Sequence, residues 1–371
     1  MTDAHAAYVQ LRDYLAHDPD NAALIADTAR AAHAAGALDA AAALADRHDA
    51  IVGAGPEMAH LRGLIAMARR DWAAARGQFE RLRALGIDAA PIRFNLAWSL
   101  AMLGEKDDAL ALLDAETVAV LPAAAQLRIG IEHERGDLDA AEATARAAID
   151  RFPGHAALHA AVATLAIDLE DADLARRCIA VGAMLPPALA AQGVLALADE
   201  DVATAAMAFD AALAGDPGNG RALIGSGLVA LHRADPLAAA RLLDRGAAVF
   251  GNHLGSWIAA GWAWLIGGDR TIARERFERA LAVDPNFADA HGSLAVIDLV
   301  EGDIASGRSR TGIALRLDRA CFSGALAAAI LAGGDGDAAR AEAILEAAMS
   351  APLDGSGRTL AQMLARIGGA A

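Results

Sequence analysis

Aromatic side chains make up only 4% of this 371-residue sequence, with two tyrosines, five tryptophans and eight phenylalanines. That leaves few of the aromatic and β-branched residues that furnish sheets. Cysteine occurs twice, at Cys178 and Cys321, too far apart for a zinc-ligand spacing and too few for a disulfide framework, so two buried reduced thiols are expected. Lysine occurs once, at Lys106, and the basic total of 32 falls short of the 48 acidic residues, for a net charge of −16. Such a chain repels phosphate backbones and anionic lipid, which excludes nucleic acid and membrane surfaces as first choices and favours a basic or apolar protein partner. The N-terminal Met-Thr-Asp-Ala-His carries no basic stretch followed by an apolar run, so no secretory signal is expected and the cytoplasm is the default compartment. Two windows without charge, 178–198 and 246–268, are long enough to suggest a membrane span, but Pro186, Pro187 and Gln192 interrupt the first, and Asn252, His253 and Ser256 the second. What is abundant is alanine, roughly a quarter of the chain, within an apolar fraction of 56%. Alanine is the strongest helix former, so the composition predicts an all-α protein whose helices approach closely. The preference for arginine over lysine, with the alanine content, suggests a GC-rich bacterial genome.

Internal periodicity organises the rest. From Leu254 to Phe287, Trp257, Ala260, Gly261, Trp264, Ala273, Phe277, Ala280 and Pro285 stand at positions 4, 7, 8, 11, 20, 24, 27 and 32 of a 34-residue unit. One period earlier lie Gly227 and Leu243, and two periods earlier Gly193, Ala205, Phe209, Ala212 and Pro217. The segment resembles the tetratricopeptide repeat at every signature position. The register places unit starts at 22, 56, 90, 122, 156, 186, 220, 254, 288 and 322, with two shortened units, 32 residues from Ala90 and 30 from Ala156. A change of curvature is expected around 115–190, where the shortened units lie, with Pro186-Pro187 opening a helix after it. Residues 1–21 read as a capping half-repeat with Leu11, Leu15 and Pro19 in register. Residues 356–371, after the break at Gly355-Ser356-Gly357, read as a capping helix with Leu360, Met363, Leu364 and Ile367 on one stripe. Repeats and caps together leave no stretch for a separate catalytic domain.

The chemistry of the pattern is that of a helix hairpin unable to bury its apolar face alone. Small residues at positions 8 and 20 allow two helices to cross closely, and large ones at position 24, such as Phe79, Leu113, Phe209 and Phe277, are expected to fill the space against the next unit. Position 15, glycine in six units, is expected to end the first helix in a left-handed conformation. Prolines at position 32 end the second helix. The resulting fold class is an α-α superhelix, a right-handed solenoid of about ten hairpins with capping helices.

Signals for chemistry are weak. His155 and His159 are four apart, but no third ligand accompanies them; His133-Glu134 lacks the second histidine of a zinc-protease helix; and the glycines of 251–261 fall on a helix, not in a phosphate loop. The reading is therefore of a non-enzyme with no cofactor and no metal. The family resemblance implies that positions 2, 5, 6, 9, 12 and 13 of each first helix line a groove for a peptide, helix or extended segment. In this sequence those positions give Leu64 and Met67; Phe94, Asn95 and Trp98; Gln126 and His133; Val194; Arg221, Leu228, Leu231 and His232; Trp262 and Leu265; and Val296 and Leu299. The set is apolar and lacks the Lys, Asn and Arg cluster with which chaperone-binding members hold a terminal carboxylate. Three functions fit it: an adaptor binding another protein in this groove, a substrate-holding subunit for a separately encoded modifying enzyme, and a structural homo-oligomer. Trp98 and Trp262, both at position 9, are the expected anchors of a partner.

Overall fold

The computed structural model describes residues 3–350; the expected closing helix with Leu360 and Ile367 lies outside them. The described residues form twenty-two helices and no strand. They divide into two compact units, Met1–Gly182 and Ala183–Ala371. In the first, α1 (Asp3–His17) precedes five hairpins: α2 (Ala22–Ala34) with α3 (Leu38–Val52), α4 (Pro56–Ala68) with α5 (Trp72–Ala84), α6 (Ala90–Met102) with α7 (Lys106–Leu112) and α8 (Ala115–Val120), α9 (Pro122–Glu134) with α10 (Leu138–Arg151), and α11 (Ala156–Asp168) with α12 (Ala172–Gly182). The second unit holds five more: α13 (Pro186–Ala198) with α14 (Val202–Gly215), α15 (Gly220–His232) with α16 (Pro236–Phe250), α17 (Leu254–Ile266) with α18 (Arg270–Val283), α19 (Ala288–Val300) with α20 (Ile304–Leu317), and α21 (Phe322–Gly334) with α22 (Ala338–Ser350).

One turn geometry recurs in all ten hairpins. The residue at position 15 has a positive φ not only at the six glycines, Gly36, Gly104, Gly136, Gly268, Gly302 and Gly336, but also at Arg70, Glu170, Glu200 and Ala234. The hairpin imposes the conformation even where a Cβ opposes it, at a cost of about 1 kcal/mol per site. At the very next residue, an aspartate caps the second helix in most hairpins: Asp71, Asp137, Asp171, Asp201, Asp235, Asp269, Asp303 and Asp337 each accept a backbone N–H three residues ahead.

Within the hairpins, aromatic knobs sit on glycines. A Cβ added to Gly63 would lie 2.7 Å from Phe79, one added to Gly261 2.3 Å from Phe277, and one added to Gly193 2.5 Å from Phe209. Each position-24 ring thus rests first on position 8 of its own unit, and Phe209 extends to the next, where a Cβ on Gly225 would meet it at 2.1 Å. All three phenylalanines are fully buried. The unit shortened at Ala90 accommodates its deficit in the second helix, which breaks between α7 and α8 at Leu113-Asp114, with Asp114 capping the new helix through Thr117 N at 2.8 Å.

Both cysteines are buried, Cys178 at 1% exposure and Cys321 at 2%. Burial pushes the Cys178 thiol up to about 11 and raises that of Cys321 as well. Neither is a thiolate at neutral pH, so neither is a nucleophile. Ellman's reagent at pH 8 is expected to titrate no thiol in the folded protein and two in urea; rapid native labelling of either would contradict this burial.

Candidate functional site

The register assigns positions 2, 5, 6, 9, 12 and 13 of the first helices to the candidate surface, and these positions range from exposed to buried, Leu228 at 42% and Leu61 at 4%. In the first unit, Leu64, Met67 and Phe94 are half-buried at the border of a core built on Phe79, Leu96 and Leu100. Trp98 stands edge-on to Phe94, ring centroids 5.7 Å apart at 78°. The Asn95 backbone carbonyl accepts the Ser99 hydroxyl at 2.8 Å, and its side chain is half-buried. Further along, the face turns polar: half-buried Gln126 is followed by His133, whose Nε2 lies 2.9 Å from Asp168, while Lys106 pairs with Glu134 at 2.7 Å. Burial, with the charge of His33 second, depresses the affinity of His60 for a proton, and its Nε2 has no partner.

The second unit is more apolar. Val194 is half-buried on the cluster around Phe209, Arg221 is half-buried, Leu231 packs with Ala239 and Leu243, and Leu228 (42% exposed) and His232 are open to solvent. Trp262 and Leu265 are half-buried, with the Trp262 ring 5.9 Å from Phe277. Val296 and Leu299 are not on an open surface: at 4% and 7% exposure they belong to a core shared with Ala295, Ala327 and Leu331. The cause is a close crossing of α19 and α21, where a Cβ on Gly292 would come 2.4 Å from the Gly324 backbone nitrogen. Spacing along one helix assigns a residue to a face, but a neighbouring helix decides whether that face stays open.

A cavity of about 500 Å³ opens where α8 replaces the end of a continuous helix, lined by Ala115, Val118, Arg128, Thr144 and Arg151 among others. Its Arg128 is already paired with Glu132 at 2.7 Å. Among the described residues no three His, Cys, Asp or Glu side chains are grouped to hold a metal ion, and no helix is long and apolar enough to cross a membrane. Sequence reasoning also passed over the row of aspartate caps at the hairpin turns, although its signal, Asp201, Asp235, Asp269, Asp303 and Asp337 at a strict 34-residue interval, is legible in the chain.

Comparison with known proteins places this geometry. A family model of the tetratricopeptide repeat matches residues 60–125 and 259–309. No curated protein matches the chain. Among solved structures, a monomeric IFIT1 mutant with Gppp-AAAA aligns over 94% of this chain and 95% of its own at 11% identity and a TM-score of 0.51, a likeness of fold alone. Pseudomonas aeruginosa PilF aligns over 54% of this chain and 94% of its own at 18% identity and a TM-score of 0.44. YrrB, described as a TPR protein with an unusual peptide-binding site, aligns over 48% and 95% at 18% identity and a TM-score of 0.40.

Proposed function

The chain is a tetratricopeptide-repeat protein, and from that premise we propose that it is a non-catalytic adaptor whose first-helix faces receive a peptide or helix of another protein. The observation that carries this reading is the row of large apolar side chains left half-exposed or exposed at groove positions, Leu64, Met67, Phe94, Trp98, Leu228 and Trp262 among them. Isolated exposed hydrophobics are ordinary, but Leu64 and Trp98 share position 9 on two consecutive first helices of the first unit, and Leu228 and Trp262 share it on two consecutive first helices of the second, so that each unit carries a paired apolar surface that water leaves unsatisfied.

The test is capture from cell extract by the wild type and by variants at Trp98 and Trp262. Each tryptophan has one ring neighbour within its own unit, Phe94 or Phe277, so substitution by alanine has a stability component that must be measured alongside. For an anchor, Trp98→Ala is expected to weaken capture by about 2 kcal/mol, near thirtyfold, while thermal stability moves little. A loss of stability with affinity unchanged in the remaining folded protein would assign the ring to the core. Recovery of no protein other than the chain itself would overturn the adaptor reading.

A further inference from the structure

The cavity beside α8 is a product of the shortened unit that opens at Ala90. The other described hairpins each have one continuous second helix, whereas here α7 stops at Leu112 and the six-residue α8 follows it. Short side chains face one another across the space, Ala115 and Ala119 from α8 and Ala143, Thr144 and Ala147 from α10, and the volume of about 500 Å³ lies within the range of small-ligand sites. Ala143, Ala147 and Arg151 stand four residues apart, so they share one stripe of α10 and the guanidinium closes the end of an alanine wall. Two arginines and no carboxylate line the cleft, in a chain whose net charge is −16. The acids nearby are engaged elsewhere: Asp114 and Glu116 by Arg93 at 3.3 and 2.9 Å, and the buried Glu132 by Arg128 Nε at 2.7 Å. Arg128 also donates Nη1 to the Leu113 carbonyl at 2.7 Å, so it is both neutralised and held in place. Arg151 is not. It has no carboxylate within ion-pair distance among the described residues, and its hydrogen bond, Nε to the Ala119 carbonyl, is long at 3.4 Å. Asp150, its neighbour in sequence, projects about 100° around the helix and does not line the cleft.

We propose that this cleft binds a small alkyl carboxylate, its chain lying along Ala143 and Ala147 against α8 and its head group on Arg151. The site is separate from the first-helix faces and stands or falls without the adaptor reading. Size, wall and charge each select the ligand. From Ala143 to Arg151 the helix rises about 12 Å, the length of an extended ten-carbon chain. Alanine walls offer that chain apolar contact with no side chain to displace, and the Thr144 hydroxyl is the one neutral polar side chain among the lining residues. A peptide segment in the same space would bury amide groups without partners, a cost an alkyl chain does not carry. The guanidinium is charged at every physiological pH and pairs with a carboxylate through two parallel N–H donors. A cationic amphiphile would meet repulsion from it.

The experiment is isothermal titration calorimetry of the full chain with decanoate, decanol, decyltrimethylammonium and acetyl-trileucine bearing a free C-terminal carboxylate, all well below micelle-forming concentrations. Decanoate is expected to bind at one site, decanol about tenfold more weakly, and the cation and the peptide not to bind. Arg151→Gln, at an exposed position at the end of α10, is expected to weaken decanoate about tenfold and leave decanol unchanged, because only the head-group contact is lost. Ala147→Trp fills the cleft from an exposed position and is expected to abolish binding of both at an unchanged melting temperature, with Ala143→Leu as a smaller filler should the tryptophan lower it. Met207→Trp, which places the same ring on an open surface of α14, is expected to change nothing. Equal binding of decanoate and decanol, both lost on filling, would overturn the anionic class. Decanoate binding that survives both fillers would overturn the assignment of the cleft, and acetyl-trileucine binding as tightly as decanoate would overturn the alkyl ligand in favour of a peptide terminus. Binding of none of the four would overturn the proposal outright.

Discussion

Replacing Phe209 with alanine is expected to cost about 3–5 kcal/mol of unfolding free energy, the upper range for a buried aromatic. The ring has no exposure and is clasped by two glycines from different hairpins, with hypothetical Cβ positions at 2.5 Å from Gly193 and 2.1 Å from Gly225. Glycine at both contacts means that no side chain can lean in to fill the space a truncation leaves, so the cavity term is retained almost whole. The surrounding cluster, Ala190, Ala205, Ala206, Ala212 and Ala222 with Val229, is composed of short side chains that reach no further. Because stability in a stack of repeats is a sum of local and neighbour terms, the loss should be concentrated in the second unit. Urea unfolding followed by circular dichroism, with hydrogen exchange to localise the change, checks this: weakened protection of α13, α14 and α15 is expected. A cost below about 1 kcal/mol would show that the backbones collapse onto the vacancy.

The same contact shows what was legible in the sequence. Gly193 and Phe209 stand at signature positions of one unit, so their partnership follows from the register. Gly225 stands at position 6, where the register assigns a groove residue, and nothing in its own helix announces that a ring from the preceding hairpin ends against it. The turns divide in a similar way. Six glycines at position 15 advertise a left-handed residue, yet Arg70, Glu170, Glu200 and Ala234 adopt it too, because the hydrogen bonds closing the hairpin outweigh the Cβ penalty. At Ala234 this predicts a gain: Ala234→Gly removes an unfavourable φ of 58° and is expected to stabilise by about 0.5–1 kcal/mol in the same urea assay.

The candidate surface was harder to read than the fold for a definite reason. Amphipathic spacing separates an inner stripe from an outer one, and it places Val296 and Leu299 on the outer stripe of α19 as firmly as Leu228 on that of α15. Leu228 remains 42% exposed while Val296 falls to 4%, and the difference comes from residues on another helix, Ser323 and Gly324, that let α21 settle across α19. Ser323 fastens the crossing by donating its hydroxyl to Asp289 Oδ1 at 2.9 Å, with the Cys321 thiol 3.4 Å from the same oxygen. Charge compensation escapes the pattern in the same manner. The aspartate caps recur at 34 residues through the second unit and less regularly in the first, at Asp71, Asp137 and Asp171, but whether an arginine lies opposite, as Arg146 does for Asp171, depends on side chains 25 or more residues away.

That crossing sets the last prediction, a pair of glycine substitutions with opposite signs. Glycine inside a helix is worth about 1 kcal/mol less than alanine when nothing else is at stake. At Gly77 in α5 nothing lies within 4 Å of an added Cβ, so Gly77→Ala should stabilise the protein by about 0.5–1 kcal/mol. At Gly292 the added Cβ would sit 2.4 Å from the Gly324 backbone nitrogen, 2.4 Å from Ser323 Oγ and 2.7 Å from the Ser323 carbonyl carbon. A ring or a leucine tip can rotate out of the way of a new methyl; a backbone in the first turn of α21 cannot, so the two helices must separate along their length. The expected cost is about 2–3 kcal/mol net of the propensity gain, from overpacking and from the loosened Ser323–Asp289 contact. Separation would also partly uncover Val296 and Leu299, so Gly292→Ala should raise the binding of a hydrophobic dye under conditions where the far-ultraviolet signal is still native, and Gly77→Ala should not. Equal and favourable effects of the two substitutions would mean that α19 and α21 are not in backbone contact, and the burial of Val296 and Leu299 would lose its explanation.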